Sequence, residues 1–419
     1  MKYQSVKGMK DILPGEVEAW QVLECKTRQF LEGFGFREIR TPILESTDLF
    51  SRSIGEASDI VHKEMYTFED RAGRSLTMRP EMTAAVVRAV LEHHLLKTDE
   101  PLYLYYFGSM YRAERPQAGR KREFFQVGVE TINTHSAVND AELVIMAKEY
   151  LQSFGLTNFS VRINSLGSPE DRSNYAAQLV DFFSSKRDRL CPDCQYRLSK
   201  NVLRIFDCKV ESCKPMIGEA PEMTLSKTAR GNFETIKKLL KEGNVPFQVE
   251  SKLVRGLDYY TGCVFEVTAG GLGAQDALLA GGRYDTLIDS LGGPHVGASG
   301  FALGVERLLM ALEANQIFLA EQVSKDTVYV AGVAGEIESS CSFYREIAKG
   351  LAAARKRSIF SHSGKNIGNH LKQANKLKAG FAILVGEDEY KAGEVTLKNM
   401  STGIQKRVKP AELPKAFEL

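Results

Sequence analysis

The residues best suited to chemistry in this 419-residue chain are arginines set among aromatic and β-branched residues. In YYFGSMYRAERPQAGRKREFFQVGVETI, Tyr105–Ile132, five basic residues crowd the middle: Arg112, Arg115, Arg120, Lys121 and Arg122. A guanidinium offers a rigid fork of donors that matches phosphate oxygens. The flanks read as two antiparallel strands, with Pro116 and Gly119 in the turn between them. Two strands leading into such a turn can hold a triphosphate, and a basic surface hairpin has the same composition. Arg112 weakens the second reading, because it lies on the strand beside apolar Tyr111, where a free charge needs a partner.

Three further segments carry chemistry. LVRGLDYYTGCVFEV, Leu253–Val267, reads as a loop entering a strand. Its Arg255 precedes a glycine that permits close backbone approach, and Tyr259 and Tyr260 offer flat walls with polar tips for a small ring. A packed strand with an edge arginine fits that segment too. LLAGGRYDTLIDSLGG, Leu278–Gly293, reads as an apolar strand followed by a Gly-Gly-Arg-Tyr turn. In GFALGVERLLMAL, Gly300–Leu312, a glycine-rich strand breaks at Gly304 into a helix whose first turn holds Glu306 and Arg307. The helix dipole disfavours a cation there unless an anion also binds, or a neighbouring carboxylate pairs with it.

Four cysteines, Cys191, Cys194, Cys208 and Cys213, have the spacing C-x2-C-x13-C-x4-C. Four thiolates this close can hold a tetrahedral Zn²⁺; the first pair is a good knuckle and the second gap is wide. Reduced, partly buried cysteines satisfy the spacing equally. Either role is structural.

These segments need elements to position them. Glu16–Phe34 has the periodicity of an amphipathic helix, and residues 36–50, FREIRTPILESTDLF, read as a strand stopping at Thr41-Pro42. A strand-rich region runs from Met65 to about Ile132, with helical stretches near Glu81–Leu96 and Asp140–Phe154. Residues 165–250 are helical, charged and cysteine-bearing, and look inserted between sheet segments. A polar linker, 315–325, leads to an alternation of strands and helices from Thr327, which predicts a compact α/β domain with parallel pairing. The domain reading is thus 1–164 with 251–314, an insertion at 165–250, the linker 315–325, and a last domain at 326–419.

Charge is uneven. Residues 326–419 hold 15 Lys and Arg against 10 Asp and Glu, and the remainder holds 40 against 43. A modestly basic last domain suits a polyanion, as it also suits an ordinary solvated surface. No stretch is apolar enough to span a membrane, and the opening MKYQSVKGMKDILPGE lacks the apolar core of a signal peptide. Seven cysteines, an odd number, do not suit a secreted disulfide scaffold. The expected location is cytoplasmic.

Taken in order, the segments resemble the class II aminoacyl-tRNA synthetases, and within them the histidyl-tRNA synthetases. GFREIRTPILESTDLF resembles the first class motif, FGSMYRAERPQAGRKREFFQ the second and GFALGVERL the third. RGLDYY and AGGRYD are similar to two signatures of the histidine enzymes. KGMKDILPGE and TMRPEMTAAVVRAV fit as well, so the resemblance covers essentially the whole chain.

The resemblance implies an α+β catalytic domain with a mostly antiparallel sheet flanked by helices, a helical insertion near the tRNA acceptor arm, and a C-terminal α/β anticodon-binding domain. It implies a homodimer built around Pro42, with ATP and Mg²⁺, L-histidine and tRNA(His) as ligands. Arg112 is expected on the α-phosphate, Glu114 on ATP, Arg120 on the far phosphates, and Phe124 on adenine with Arg307 on its other face. Glu81, Thr83 and Gln126 are expected on the α-ammonium, and Glu130 and Tyr260 on the imidazole, with Tyr259 and Tyr284 as walls. Arg255 is expected opposite Arg112 across the α-phosphate, where many class II relatives use a metal ion. Two such cations should repel before the phosphate arrives. The rival within this resemblance is a non-catalytic regulatory subunit of ATP phosphoribosyltransferase, which usually lacks the last domain and tolerates lost arginines; this chain has both. A second rival, a pure tRNA-binding module, leaves the phosphate-binding arginines without a task.

Overall fold

The computed structural model describes residues 3–55, 58–97, 100–117, 119–270, 277–321, 325–332, 337–361 and 366–417. The chain divides into two compact units, 1–11 with 26–317, and 12–25 with 318–419. Residues 322–324 of the expected linker, and 333–336 after the strand at Thr327, lie outside the described residues.

The strands of the first unit are β1 (Arg37–Glu38), β2 (Leu44–Ser46), β3 (Tyr66–Glu69), β4 (Ser75–Met78), β5 (Leu102–Tyr111), β6 (Glu123–Ile132), β7 (Phe159–Ser165), β8 (Phe247–Val249), β9 (Thr261–Ala269), β10 (Ala277–Arg283) and β11 (Ala298–Gly304). Eight of them form one sheet in the order β1-β5-β6-β11-β10-β9-β7-β8, and β2, β4 and β3 form a small antiparallel sheet. The large sheet is antiparallel through its middle and parallel at both edges, where β1 joins β5 and β8 joins β7.

Register decides what this sheet can do. Residues directly opposite one another in paired strands share a face. One row crosses the sheet as Tyr106, Gly128, Ala302, Ala280, Glu266 and Arg162. The next row on the same face is Leu104, Glu130, Gly300, Gly282, Val264 and Asn164. Glycine and alanine therefore pave the centre of this face, and polar groups stand at its margins. Intervening positions such as Val127, Val129, Leu303, Phe301, Val267 and Phe265 are buried on the opposite face. The helix Ala137–Ser153 packs against β10 and β11.

Between β7 and β8 the chain forms helices Pro169–Ser184, Pro192–Lys200, Lys214–Glu219 and Lys227–Glu242. A capping box of Ser168 and Asp171 with Pro169 at the first turn fixes the start of the first of these. β8 then returns to the edge of the large sheet.

Some local expectations change. The Gly-Gly-Arg of LLAGGRYD is strand, not turn: Gly281, Gly282 and Arg283 all pair within β10. The segment 36–50 is two short strands, and Thr47–Ile54 is a helix. Leu49 and Phe50, the apolar end of the segment expected to build the homodimer around Pro42, are buried in the chain's own core with Ile54, Ile60 and Ala84.

The second unit has β12 (Thr327–Gly332), β13 (Arg357–Ser361), β14 (Phe381–Val385), β15 (Val395–Asn399) and β16 (Gln405–Val408), in the order β13-β12-β14-β15-β16. The first three are parallel, as a strand–helix alternation requires, and β15 and β16 add antiparallel pairs that the alternation did not predict. Its core holds Val328, Val330, Ile347, Leu351, Ile383 and Leu397. Among the described residues no helix is long and apolar enough to cross a membrane.

Candidate active site

The paved face of the large sheet floors a cleft of about 690 Å³. Every residue expected at the site lines it: Glu81, Thr83, Arg112, Glu114, Arg120, Phe124, Gln126, Glu130, Arg255, Tyr259, Tyr260, Tyr284 and Arg307. Three of them, Phe124, Gln126 and Glu130, share one face of β6 at even spacing, and Arg112 directly follows the paired strand β5.

At one end of β6 the Glu130 carboxylate is buried. It accepts hydrogen bonds from Thr83 Oγ1 at 2.8 Å and from the Tyr284 hydroxyl. Burial pushes its carboxyl up to about 8, the two hydroxyls pull the other way, and the charge of Glu81 adds to the rise. Room for the carboxylate comes from Gly300 opposite it, where a Cβ would fall 2.2 Å from Glu130 Oε2. Tyr259, Tyr260 and Tyr284 are all buried, with ring centroids 4.8 Å apart for Tyr259–Tyr260 and 5.6 Å for Tyr259–Tyr284. They enclose an aromatic box beside one carboxyl group.

Glu81 is also buried, and it accepts the backbone N–H groups of Thr83 at 2.6 Å and Ala84 at 2.9 Å. Burial raises its pKa and these amides oppose the rise. It thereby satisfies two otherwise free amides at the start of the helix Thr83–Glu92, and it also lines the cleft. Gln126 Oε1 is buried without a hydrogen-bond partner, an acceptor in want of a donor.

At the hairpin end the Arg112 guanidinium carbon stands 5.2 Å from the Phe124 ring centroid, and Arg112 Nε donates to the Pro80 carbonyl at 2.9 Å. Burial lowers the Arg112 pKa, and Glu64, Glu114 and Glu81 oppose the fall. Arg120 pairs with Glu114 at 2.9 Å. Arg307 extends beside Gly304 and Gly119, while Glu306 accepts the Phe125 backbone N–H at 3.1 Å and so fastens its helix to β6.

Arg255 is not the unpaired cation expected. Its Nη1 lies 2.6 Å from Glu266 Oε2, so the expected repulsion between Arg255 and Arg112 is already compensated. Its Nε is buried with no acceptor. The helical segment grips the loop around it. Arg204 donates to the Arg255 carbonyl at 2.9 Å, Arg172 donates to the Asp258 and Tyr260 carbonyls at 3.0 and 2.9 Å, and Asn201 donates to Asp258 Oδ1 at 2.8 Å.

Sequence reasoning missed Tyr106, Glu266 and Arg162, which also line the cleft. The signal for Tyr106 is Gly128: a Cβ there would fall 2.2 Å from Tyr106 Cζ, so the strand glycine marks a ring lying over it. Arg283 of AGGRYD is structural. It donates to both oxygens of Asp140, at 2.9 and 2.7 Å, and to Asp285 at 2.9 Å, tying the end of β10 to the helix Ala137–Ser153.

The four cysteines come together, their sulfurs all within 4.8 Å of one another, and Asp207 and Lys209 on either side of Cys208 line the cleft.

A mostly antiparallel sheet whose arginine-bearing hairpin and strand-to-helix arginine share one cleft defines a class II aminoacyl-tRNA synthetase, a ligase. The family model for histidyl-tRNA synthetase matches residues 8–168 and 208–308, and that for the anticodon binding domain matches 327–418. The histidine–tRNA ligase of Caldanaerobacter subterraneus subsp. tengcongensis is 42% identical over 420 residues, covering 100% of each chain. That of a Geobacillus species is 44% identical over 414 residues, covering 97% of each. The apo S. aureus histidyl-tRNA synthetase structure matches with a TM-score of 0.77 and 34% identity over 100% of both chains. A Bacillus halodurans structure described as an ATP phosphoribosyltransferase regulatory subunit/histidyl-tRNA synthetase shares the fold, with a TM-score of 0.66 and 21% identity over 92% of this chain and 99% of its own. The chain belongs to the histidyl-tRNA synthetase family. Its activity is that of the family, ligation of histidine to tRNA with ATP, and the regulatory-subunit reading is not favoured.

Proposed function

We propose that this cleft activates L-histidine as its adenylate, releasing pyrophosphate, and then passes histidine to the 3′ end of tRNA(His). The observation that carries the residue assignment is the buried Glu130 carboxyl inside the box of Tyr259, Tyr260 and Tyr284. An imidazole is a flat ring with a proton to share, and this pocket offers flat walls and one acceptor that can also hold a proton.

In this reading Glu130 and Tyr260 read the imidazole. Glu81, Thr83 and Gln126 take the α-ammonium, a task that the partnerless Gln126 Oε1 suits. Phe124 stacks on adenine, with Arg307 on its other face, and Glu114 contacts the nucleotide. Arg112 and Arg255 hold the α-phosphate, and Arg120 reaches the far phosphates by exchanging its partner Glu114 for them.

Activation is attack by one anion on another. The histidine carboxylate is already ionised, so no protein base is needed; the protein's work is positioning and cationic stabilisation of the oxygens that gain charge. Arginine stays charged at any working pH, which suits that work better than lysine or histidine. Two carboxylates, Glu64 and Glu114, face the cleft close to Arg112 and Arg120, a hard-oxygen set that fits Mg²⁺ arriving with ATP. That ion would neutralise charge on the departing pyrophosphate.

Two assembly proposals accompany this reading. The chain forms a homodimer through the region of Pro42, where Ile43 and Leu44 are exposed. Residues 326–419 bind the anticodon stem-loop, supported by their basic excess and match to the anticodon binding domain. The deciding measurement for the whole is exchange of labelled pyrophosphate into ATP. Exchange that depends on histidine is expected, and exchange driven equally by other amino acids, or none at all, refutes the assignment.

A further inference from the structure

We propose that Cys191, Cys194, Cys208 and Cys213 bind one Zn²⁺, and that this ion braces the loop carrying Arg255. The wide gap before Cys213 is closed by a single-turn helix, Glu211–Cys213, which turns its sulfur inward. All four sulfurs lie within 4.8 Å of one another, and Cys191 Sγ and Cys208 Sγ are 3.7 Å apart. Zn–S bonds of about 2.3 Å in a tetrahedron set sulfurs about 3.8 Å apart, so a small contraction completes the site. The 3.7 Å separation is far from the roughly 2.05 Å of a disulfide.

The surroundings are those of a thiolate site. The Cys191 backbone N–H donates to Cys213 Sγ at 3.3 Å, and the Val210 N–H donates to Cys208 Sγ at 3.4 Å. Such donors hold ligand sulfurs in orientation and offset their charge. Cys194 and Cys213 are fully buried, and the half-buried Cys191 leaves an entry path. An all-sulfur set favours Zn²⁺ over magnesium or calcium, and a cluster of several irons would hold the sulfurs further apart. Cys25 and Cys341 are exposed and belong to no such group among the described residues.

The brace follows from what lies between the two cysteine pairs. The helix Pro192–Lys200 begins at the first pair and ends at Asn201, whose amide holds Asp258. Arg204 donates to the Arg255 carbonyl, and its Nη1 is steadied at 2.6 Å by Asp207, the residue before Cys208. Arg197 crosses back to the Arg204 carbonyl at 3.1 Å. An ion joining both ends of this stretch fixes the two side chains that grip the signature loop.

The brace rests on the role proposed for Arg255; the zinc content does not. Full-length protein, produced with zinc present and passed through a chelating column, is expected to retain about one zinc per chain by mass spectrometry. Co²⁺ exchange is expected to give the absorption of a tetrahedral thiolate site. Near-zero zinc, together with thiols at these four positions that react with a disulfide reagent no faster after chelation, overturns the site. For the brace, zinc is stripped from the wild-type protein with a mercurial, which is then reversed by thiol. Hydrogen exchange at 253–260 should quicken, and histidine-dependent adenylation at saturating ATP should slow about tenfold, with recovery on Zn²⁺ but not Mg²⁺. Unchanged exchange at 253–260 in a protein that does hold zinc overturns the brace and leaves the site standing. Cys208→Ser should lose zinc, while Cys25→Ser should keep it.

Discussion

Arg255 Nη1 and Glu266 Oε2 stand 2.6 Å apart, so the cation proposed to meet the α-phosphate is held in trust by a carboxylate on the neighbouring strand. Arg162 makes a looser contact with the other Glu266 oxygen at 4.0 Å. A paired arginine can wait in a low-dielectric cleft without the full penalty of an isolated charge, and can strengthen its phosphate contact as charge builds there.

Arg255→Ala should slow adenylate formation by about a hundredfold, or about 3 kcal/mol, with much smaller changes in ATP and histidine affinity. Transfer from preformed adenylate to tRNA should suffer less, since the pentavalent phosphate is not rebuilt. Single-turnover measurement separates the steps. Weakened ATP binding with near-normal adenylation at saturation would make Arg255 an ordinary binding residue.

Glu130 gives a pH dependence. Its carboxyl is pushed up to about 8 from an ordinary 4.5. Between those values the folded chain keeps a proton that the unfolded chain has lost, so this group's contribution to stability falls as pH rises through the window and levels off above it. A free imidazole titrates near roughly 6.5, so Glu130 and the ring share one proton between about that pH and 8. Histidine affinity should peak there and weaken on the alkaline side. Glu130→Gln should remove the limb near 8 and weaken histidine by about thirtyfold while sparing ATP, as for loss of a charge-assisted hydrogen bond of about 2 kcal/mol. Calorimetric titrations of both ligands across pH give the answer, and equal losses for both would move the amino-acid pocket elsewhere.

Gly300→Ala tests the same pocket from the opposite strand. The added carbon would lie 2.2 Å from Glu130 Oε2 and 2.3 Å from the Val129 carbonyl oxygen. Such overpacking should cost about 1–3 kcal/mol, read as a lower denaturation midpoint, and should displace the carboxylate. A variant with unchanged stability and unchanged histidine affinity would mean that β11 does not press on Glu130 as described.

Sedimentation should show a dimer of the 46.6 kDa chain. Ile43→Asp, at an exposed apolar position, should weaken it, whereas changes at the core residues Leu49 and Phe50 should unfold the chain first. A stable, active monomer would end the proposal.

Removal of residues 326–419 should impair tRNA charging and leave some histidine-dependent pyrophosphate exchange, because the cleft draws all its lining from residues 59–307. A folded, truncated protein that charges tRNA at the normal rate would refute the anticodon role.

The sequence by itself determined the chemistry and its order along the chain. Arg112, Phe124 and Glu130 could be assigned to one hairpin because aromatic and β-branched runs flank a turn, and period-two alternation puts Phe124, Gln126 and Glu130 on one face. The start of the helix Val305–Ala314 was legible because Gly304 marks it. Register was not legible. Nothing local says that Gly300 faces Glu130, that Glu266 sits in the row of Gly128 and Ala280, or that Asp140 lies within reach of Arg283; pairings between distant segments are set by packing of the opposite, apolar face. For the same reason AGGRYD looked like a turn, since glycine in a strand interior is explained only by a neighbour that needs the space. Tertiary structure alone decided that Arg255 is paired, that Leu49 and Phe50 are spent on the chain's own core, and that four cysteines with an uneven spacing converge. Charge, aromaticity and periodicity are properties of short stretches, whereas ion pairs, burial and sulfur geometry depend on residues that only folding brings together.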